Sequence, residues 1–190
     1  MSPEIGRRER KKAQTRKAIG DAALELFLAR GYEQVGVREI ADAADVSVTT
    51  LFNYFPTKEA LAFDDSEDVE AELLAAVRER APGQSIPQAL RGYLVRWVSE
   101  VAAYPHAADF GRMIEQTPAL QAYARRIWLR YESVLARAIA DETGAGDVAC
   151  ATLARFALEA FELAHRHPDP VAATDTIFAL LDHGWTDVEA

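Results

Sequence analysis

The sequence predicts an all-α protein in which a three-helix N-terminal domain with a helix-turn-helix precedes a larger helical domain. Apolar residues recur at the i, i+3, i+4, i+7 spacing of amphipathic helices along most of the chain. The period-2 alternation typical of a β-strand is not convincing in any segment. Hydrophobic residues make up 49% of the 190 residues, enough for a packed core and too many for a disordered chain. We place the domain boundary after residue 61, which gives the ranges 1–61 and 62–190.

The first helix is expected to begin in the basic segment near the N-terminus and to end close to Ala29. Its apolar residues share one face at helical spacing: Ile19, Ala23, Leu26 and Phe27. Gly31 then supplies the stop that is common just past a helix C-terminus. A second helix, VREIADAA, follows Gly36, and Glu39 stands where a capping box requires a carboxylate. This second helix has only about two turns, so it cannot be stable alone in water.

The third helix follows the short turn Ala44-Asp45-Val46 and begins at Ser47, a favourable N-cap residue. Four apolar residues repeat at helical spacing, and we expect all of them to be buried: Val48, Leu51, Phe52 and Phe55. The opposite face carries uncharged polar side chains: Thr49, Thr50 and Asn53. Pro56 ends the helix, and Thr57 can cap the helix that follows. Two short helices joined by this turn have the anatomy of a helix-turn-helix.

The polar face of the third helix suits the recognition of duplex DNA. A helix that enters a major groove about 12 Å wide needs short side chains, and Thr and Asn both donate and accept hydrogen bonds at base edges. Tyr54 and Lys58 stand at the end of the helix and just beyond it, where they would contact phosphates. The alternative is the polar face of an ordinary surface helix, although Glu, Lys and Arg are the usual choices there.

Charge is distributed unevenly along the chain. Residues 1–58 hold 10 Lys and Arg against 8 Asp and Glu, a balance of +2, and the remainder holds 11 against 22, a balance of −11, which together give −9. Basic residues crowd the beginning of the chain: Arg7, Arg8, Arg10, Lys11, Lys12, Arg16 and Lys17. This asymmetry indicates a basic end that meets a polyanion and an acidic body that does not. A solvated, frayed tail remains the alternative for the basic segment.

The chain also resembles a known family at many positions. The positions lie in register without gaps over about the first quarter to third of the chain: Ile19, Ala22-Ala23, Leu26-Phe27, Gly31-Tyr32, Val37, Ile40-Ala41, Ala44, Val46-Ser47, Thr50-Leu51-Phe52, Tyr54-Phe55, Lys58-Glu59 and Leu61. They are similar to the N-terminal domain of TetR-family transcriptional regulators. The resemblance implies a homodimeric, ligand-responsive repressor that binds double-stranded DNA. Together with the pattern it predicts these DNA contacts: Thr15, Arg16, Val37, Arg38, Ser47, Thr49, Thr50, Asn53, Tyr54 and Lys58.

The chain departs from the family pattern in four places. The pair before the second helix, usually rich in Thr or Ser, is Val35-Gly36, which offers no capping hydroxyl. The glycine usual in the turn is Asp45, one of the few residues that tolerate a positive φ. Thr49-Thr50 replaces the common Gly-Thr pair and adds a side chain to the recognition helix. Phe52 replaces the usual Tyr, a conservative change if the position is buried as we expect.

The C-terminal domain diverges within the family, so its residues are interpreted from their own pattern. Aromatic stripes are usually core, but the resemblance makes some of these side chains candidates for lining an effector pocket: Tyr93, Trp97, Phe110, Met113, Trp128 and Phe161. The effector would be small and apolar or amphipathic. The resemblance places the dimer interface on the last two helices, with these candidates: Phe156, Ala157, Ala160, Ala164, Phe178, Leu181 and Trp185. Packing within one protomer is the alternative for the same residues.

Composition and motifs weigh against several other classes of protein. No apolar run approaches the roughly 20 residues that span a bilayer, and no signal-peptide core follows the basic start, so we expect a cytoplasmic protein without a membrane partner. Cys150 is the only cysteine and excludes an internal disulfide. The acidic cluster from Asp64 to Glu72 is expected to be a solvated helix start, and the four histidines do not form a metal site.

Recognised catalytic motifs are absent, and we expect no enzyme activity and no cofactor. The alternative function is a helical small-molecule binding protein or enzyme with an incidental helix-turn-helix.

Overall fold

The computed structural model describes residues 6–63 and 66–183, and within these ranges the chain forms helices and no strand. The helices are α1 Arg7–Arg30, α2 Val37–Ala43, α3 Val48–Tyr54, α4 Ser66–Arg78, α5 Ile86–Ala103, α6 Ala107–Gln116, α7 Pro118–Thr143, α8 Asp147–Ala164 and α9 Pro170–His183. Short 3₁₀ turns cover Tyr32–Gln34 and Glu59–Ala62. The predicted all-α fold is confirmed. In the described part of the chain, no helix combines the length and apolarity needed to cross a bilayer.

The chain divides into two compact units, which differ from the predicted ranges. The first unit comprises residues 1–65 together with 108–124, and the second comprises 66–107 and 125–190. The sequence assigned all of 62–190 to the second domain. In the structure, Met113 and Leu120 are buried in the same core as Ile19 and Leu51, with Phe110 and other partly buried side chains packed around them. These contacts join residues far apart in the sequence, which explains why local periodicity did not reveal them.

α1 is longer than the core that it serves. Its buried residues are Ile19, Gly20, Ala23 and Phe27, so the turns that begin at Arg7 lie outside the core and are exposed. The helix stops at Gly31, whose φ of 85° favours glycine and whose N–H donates to the Phe27 carbonyl at 2.8 Å.

The Glu39 carboxylate joins the end of α1 to the start of α2. The Gly36 N–H donates to Glu39 Oε2 at 2.8 Å, and Arg30 Nη1 donates to Glu39 Oε1 at 2.7 Å. The Gly36 amide, and after it Arg30, hold the pKa of the Glu39 carboxyl below its ordinary value. Glu39 thus accepts the N–H of the N-cap residue Gly36, although Gly36 has no hydroxyl that could complete a capping box.

The turn between α2 and α3 depends on Asp45. Its φ of 53° is in the left-handed region, and the other residues with positive φ in the described chain are glycines. The Ala44 N–H donates to the Ile40 carbonyl at 3.0 Å, and the Val46 N–H donates to the Ala41 carbonyl at 2.9 Å. This left-handed helix ending redirects the chain into α3.

Lys58 closes the helix-turn-helix against α1. Its Nζ donates to the Tyr32 carbonyl at 2.6 Å and lies 4.1 Å from the Tyr32 ring centroid. Burial lowers the pKa of Lys58, against the opposing effect of Glu33 and Glu59. The sequence predicted a phosphate contact for this amine, whereas the structure shows it engaged within the first unit.

The second unit is a bundle in which α5 packs against α4, α8 and α9, and α8 packs against α9. Ser85 caps α5 by accepting from the Gln88 N–H at 3.3 Å. An ion pair of 2.7 Å between Arg91 and Asp175 links α5 to α9. The elements of this unit are therefore packed around α5.

Replacing Asp45 is expected to change the free energy of unfolding according to how well the new residue tolerates a positive φ. Asp45→Gly should keep or raise the free energy of unfolding by up to about 1 kcal/mol, because glycine adopts positive φ without a Cβ clash. Asp45→Val should lower it by about 1–2 kcal/mol. As a control, Asp42→Gly inside α2 should lower it by about 0.5 kcal/mol. Urea unfolding followed by circular dichroism measures all three, and an Asp45→Val variant as stable as the parent would contradict the turn geometry.

Replacing Lys58 is expected to weaken the first unit. Lys58→Met keeps an apolar stem but removes the bond to the Tyr32 carbonyl, and should lower the free energy of unfolding by about 1–2 kcal/mol. The control Lys17→Met also removes one positive charge. Lys17 forms an exposed i, i+4 ion pair of 2.7 Å with Asp21. That control should cost at most about 0.5 kcal/mol. Chemical unfolding measures both variants, and equal losses of unfolding free energy would show that the bond from Lys58 to the Tyr32 carbonyl does not stabilise the first unit.

Candidate nucleic-acid interface

The buried side of α3 is narrower than the sequence predicted. Leu51 and Phe55 are buried, Val48 is half-buried, and Phe52 is 42% exposed. The prediction that Phe52 is buried is therefore wrong. Successive residues of a helix are rotated by about 100°, so Phe52 lies a quarter turn away from Leu51 and outside the stripe that Leu51 and Phe55 form.

Three exposed residues share the outward face of α3. Thr49, Phe52 and Asn53 are all exposed and have the i, i+3, i+4 spacing that puts side chains on one face. None of the three carries a charge. The face consequently combines two hydrogen-bonding side chains with one aromatic ring.

Thr50, predicted as a base contact, takes part in the cap of α3. Its N–H donates to Ser47 Oγ at 3.0 Å, and its hydroxyl lies 2.8 Å from the same oxygen. Ser47 is the N-cap residue, so both hydroxyls are used to fix the start of the helix. Thr50 is half-buried beside the outward face rather than in its centre.

Arg16 connects α1 to the end of α3. Its Nη1 donates to the Tyr54 carbonyl at 3.4 Å, and its guanidinium carbon lies 4.7 Å from the Phe55 ring centroid. A cation at a helix C-terminus is also favoured by the helix dipole. Neighbouring Thr15 is half-buried and donates its hydroxyl to the Lys11 carbonyl at 3.0 Å. Arg16 therefore positions α3, whatever contact it makes with DNA.

The remaining predicted contacts lie at the start of α2 and the end of α3. Val37, the first residue of α2, is half-buried, and Arg38 is exposed. Tyr54 is half-buried. The predicted set thus divides into an exposed part and a half-buried part. The exposed residues are Arg38, Ser47, Thr49 and Asn53, and the half-buried ones are Thr15, Arg16, Val37, Thr50, Tyr54 and Lys58.

A cluster of cations lies on the exposed N-terminal turns of α1. We call this segment, residues 7–12, the basic extension; its cations are Arg7, Arg8, Arg10, Lys11 and Lys12. The sequence left a frayed tail as an alternative, but residues 7–12 are helical. The charges are therefore carried on a regular scaffold.

The predicted pocket residues fall into two groups. In the second unit, Trp97 stacks on Phe161 with centroids 3.8 Å apart, and Trp128 lies 5.9 Å and Tyr93 5.7 Å from Trp97. Burial raises the pKa of the Tyr93 phenol, whose hydroxyl donates to the Val69 carbonyl at 3.4 Å. Two grooves of the described surface run along α4 and α5 and at the turn between them, and these rings do not line them.

The other two predicted pocket residues belong to the first unit. Met113 is buried in its core, and Phe110 packs against that core with its ring centroid 6.0 Å from that of Phe63. A tilted stack of Phe63 and Tyr123, with centroids 5.5 Å apart, continues the same packing. The six candidates therefore do not form one cluster.

Most of the predicted dimer residues are used inside the protomer. Four of them are at most 1% exposed in the single chain: Ala157, Ala160, Ala164 and Phe178. Side chains covered by their own protomer cannot contact a partner, so the alternative of internal packing applies to these four. Phe156 and Leu181 are half-buried, and Trp185 lies outside the described residues.

Among the described residues, no three side chains of His, Cys, Asp or Glu lie close enough together to hold a metal ion. Asp64 and Asp65 of the acidic cluster lie outside the described residues. Cys150 is buried near the start of α8, with Sγ 3.6 Å from the Ala145 carbonyl.

Comparison with known proteins agrees with this geometry. Residues 19–64, which include α2 and α3, match the family described as bacterial regulatory proteins, tetR family. The chain is 35% identical to the transcriptional regulator TcmR of Streptomyces glaucescens over 147 residues, which cover 73% of this chain and 65% of TcmR. It is 32% identical to MftR of Mycobacterium tuberculosis over 144 residues, covering 75% of this chain and 72% of MftR.

A solved structure resembles the whole fold. Thermus thermophilus FadR, a TetR-family transcriptional repressor crystallised with lauroyl-CoA, superposes with a TM-score of 0.59 at 26% identity, covering 90% of this chain and 94% of FadR. The helix-turn-helix, the similarity to MftR over most of both chains and the shared helical fold lead to one conclusion. The chain belongs to the TetR family of bacterial transcriptional regulators.

Proposed function

We propose that this chain is a homodimeric repressor that binds a palindromic operator through α3 and loses affinity when a small molecule binds its second unit. The outward face of α3 carries the proposal. Thr49 and Asn53 present short, uncharged, exposed side chains on a helix that core packing, the Ser47 cap and Arg16 hold in place. A surface helix without a partner has no need of this combination.

Thr49 and Asn53 are proposed to read base edges in the major groove. An Asn amide pairs bidentately with adenine N6 and N7, and a Thr hydroxyl bonds to several base edges. A good bidentate pair contributes about 1–3 kcal/mol of discrimination against the wrong base. Arg38, exposed at the start of α2, is proposed to contact a phosphate rather than a base.

The basic extension is proposed to contact phosphates beside the bases that α3 reads. Arg16 bonds to the Tyr54 carbonyl, so the turns of α1 that precede Arg16 begin close to the C-terminal end of α3. Residues 7–12 continue the helix outward from there at about 1.5 Å per residue. Neutralising phosphates with Arg and Lys releases counterions, which makes affinity depend on salt.

Two protomers are proposed to bind together. A single DNA-binding module buries only about 600–1,000 Å² on DNA, and a symmetric dimer would hold two α3 helices about one helical turn of DNA apart. The outer faces of α8 and α9 retain exposed apolar residues, with Leu163 at 64% and Val171 at 37%. Phe156 and Leu181 are half-buried on the same helices. A mass near twice 20.9 kDa in light scattering checks this state.

The effector is proposed to be a small apolar or amphipathic molecule bound among the aromatic rings of the second unit. Trp97, Trp128 and Phe161 offer flat apolar surfaces, and their present stacking means that a ligand must part them. FadR of Thermus thermophilus was crystallised with lauroyl-CoA, which makes acyl-CoA a reasonable first compound. Tryptophan fluorescence during titration with lauroyl-CoA tests this part of the proposal. A coupling of about 1–3 kcal/mol would lower operator affinity roughly 5- to 150-fold.

A test of the function begins by selecting duplexes from a random pool with the wild-type chain. Selection should enrich a palindromic sequence, and Asn53→Ala should bind it about 5- to 150-fold more weakly for each half-site contacted, while losing discrimination at one base pair of each half-site. Fluorescence anisotropy on duplexes changed base by base measures both effects. If the wild-type chain enriches no sequence, the proposed function fails; an equal loss on every duplex would make Asn53 a structural or phosphate residue.

The salt dependence of operator binding tests the basic extension. Arg8→Gln with Lys12→Gln keeps good helix formers and should reduce the slope of log affinity against log salt by about 0.9 for each phosphate that is no longer neutralised, up to about 4 for two residues in two protomers. Arg96→Gln with Arg137→Gln removes the same charge from the second unit and should leave the slope unchanged. Identical slopes in the two double variants would exclude phosphate contacts from Arg8 and Lys12.

A further inference from the structure

Phe52 is an exposed aromatic ring in the centre of a polar surface. It is 42% exposed, and its helical neighbours on the same face are Thr49 and Asn53. The core of the first unit closes without it, since Leu51 and Phe55 supply the buried stripe of α3. Single exposed apolar residues are common on proteins. This one stands on the face proposed to meet DNA, where a partner would cover it.

The chemistry of the ring limits what it can recognise. A phenyl ring has no hydroxyl, so it cannot donate a hydrogen bond to a phosphate or to a base edge. The edges of base pairs in the major groove consist of donors and acceptors, apart from the C5-methyl group of thymine and the much smaller C5–H of cytosine. Burying the ring against a polar edge would leave that edge unpaired, which is unfavourable. The thymine methyl is the group in the groove that complements it.

We infer that Phe52 is a specificity-determining residue that packs on the C5-methyl group of a thymine. The inference rests on the proposed function. Thr49 and Phe52 are separated by about 4.5 Å along the helix axis, and Phe52 and Asn53 by about 1.5 Å. Bases on one strand are spaced by about 3.4 Å, so the thymine stands within one or two base pairs of those that Thr49 and Asn53 contact.

A contact with a deoxyribose ring is the other way in which DNA could cover Phe52. It would contribute affinity on every sequence and would be indifferent to the thymine methyl. The two contacts are separated by removing the methyl alone. Replacing thymine by deoxyuridine does this, because the hydrogen-bonding edge of the base is unchanged.

The experiment uses the duplex that the wild-type chain selects from a random pool, with each thymine replaced in turn by deoxyuridine. For the full-length wild-type chain, replacing one particular thymine of a half-site is expected to weaken binding about 4-fold, the affinity equivalent of one buried methyl group. In Phe52→Ala, binding to the unmodified duplex should fall and that replacement should have no further effect. Phe52→Tyr keeps the ring and should keep the sensitivity.

Controls separate the contact from a general defect. Leu129→Ala removes another exposed apolar side chain, 54% exposed in the second unit, and should leave the deoxyuridine profile unchanged. Because Phe52 is exposed, Phe52→Ala should retain the helical circular dichroism of the parent. A Phe52→Ala profile identical to that of the wild type overturns the inference, and so does a wild-type profile without a sensitive thymine. Absence of sequence-selective binding by the wild type would instead overturn the proposed function.

Discussion

The burial of Leu51 and Phe55 in the core of the first unit is the interaction on which the DNA-binding face depends. α2 and α3 have seven residues each, and isolated helices of this length are unstable in water. Their stability must come from tertiary packing, in which α2 lies against α1 and α3 against α2, and the burial of Leu51 and Phe55 fixes the rotation of α3 about its axis. Once Leu51 and Phe55 point inward, Thr49, Phe52 and Asn53 have to point outward. The surface offered to a partner is therefore a consequence of the core.

Cations in the first unit have two different uses. Arg16 and Lys58 bind backbone carbonyls and lie over aromatic rings, so each of them holds a short element against α1. Such bonds are charge-assisted and partly desolvated, which makes them stronger than exposed surface pairs. Arg38 and the basic extension remain exposed. The first unit thus has exposed cations besides those that hold its own elements together.

The second unit uses small and aromatic side chains to pack its own helices. Ala157, Ala160 and Ala164 are covered within the protomer, which lets α8 approach its neighbours closely. The proposed interface between protomers consequently rests on the outer faces of α8 and α9, where larger side chains such as Leu163 are exposed. The stack of Trp97 on Phe161 likewise belongs to the packing of one protomer, and an effector has to compete with it.

The sequence by itself determined the features that follow from local chemistry. Helical periodicity indicated the helices, Ser47 and Glu39 marked the helix starts, and Gly31 marked a helix end. Thr49 and Asn53 were found as exposed polar residues because the apolar stripe opposite them was evident. These properties involve residues within a few positions of one another, where covalent geometry and hydrogen bonding restrict the outcome.

Only the tertiary structure decided which residues share a core or a partner. The spacing of Phe52 fits a buried stripe, but the elements that cover Leu51 and Phe55 do not extend over Phe52, so its ring is exposed. The segment 108–124 joins the first unit because Met113 and Leu120 enter its core, and Lys58 turns toward the Tyr32 carbonyl. Each of these outcomes depends on contacts between residues distant in sequence. Periodicity reports which side of a helix is apolar, whereas the packing of the neighbouring elements decides how much of that side is covered.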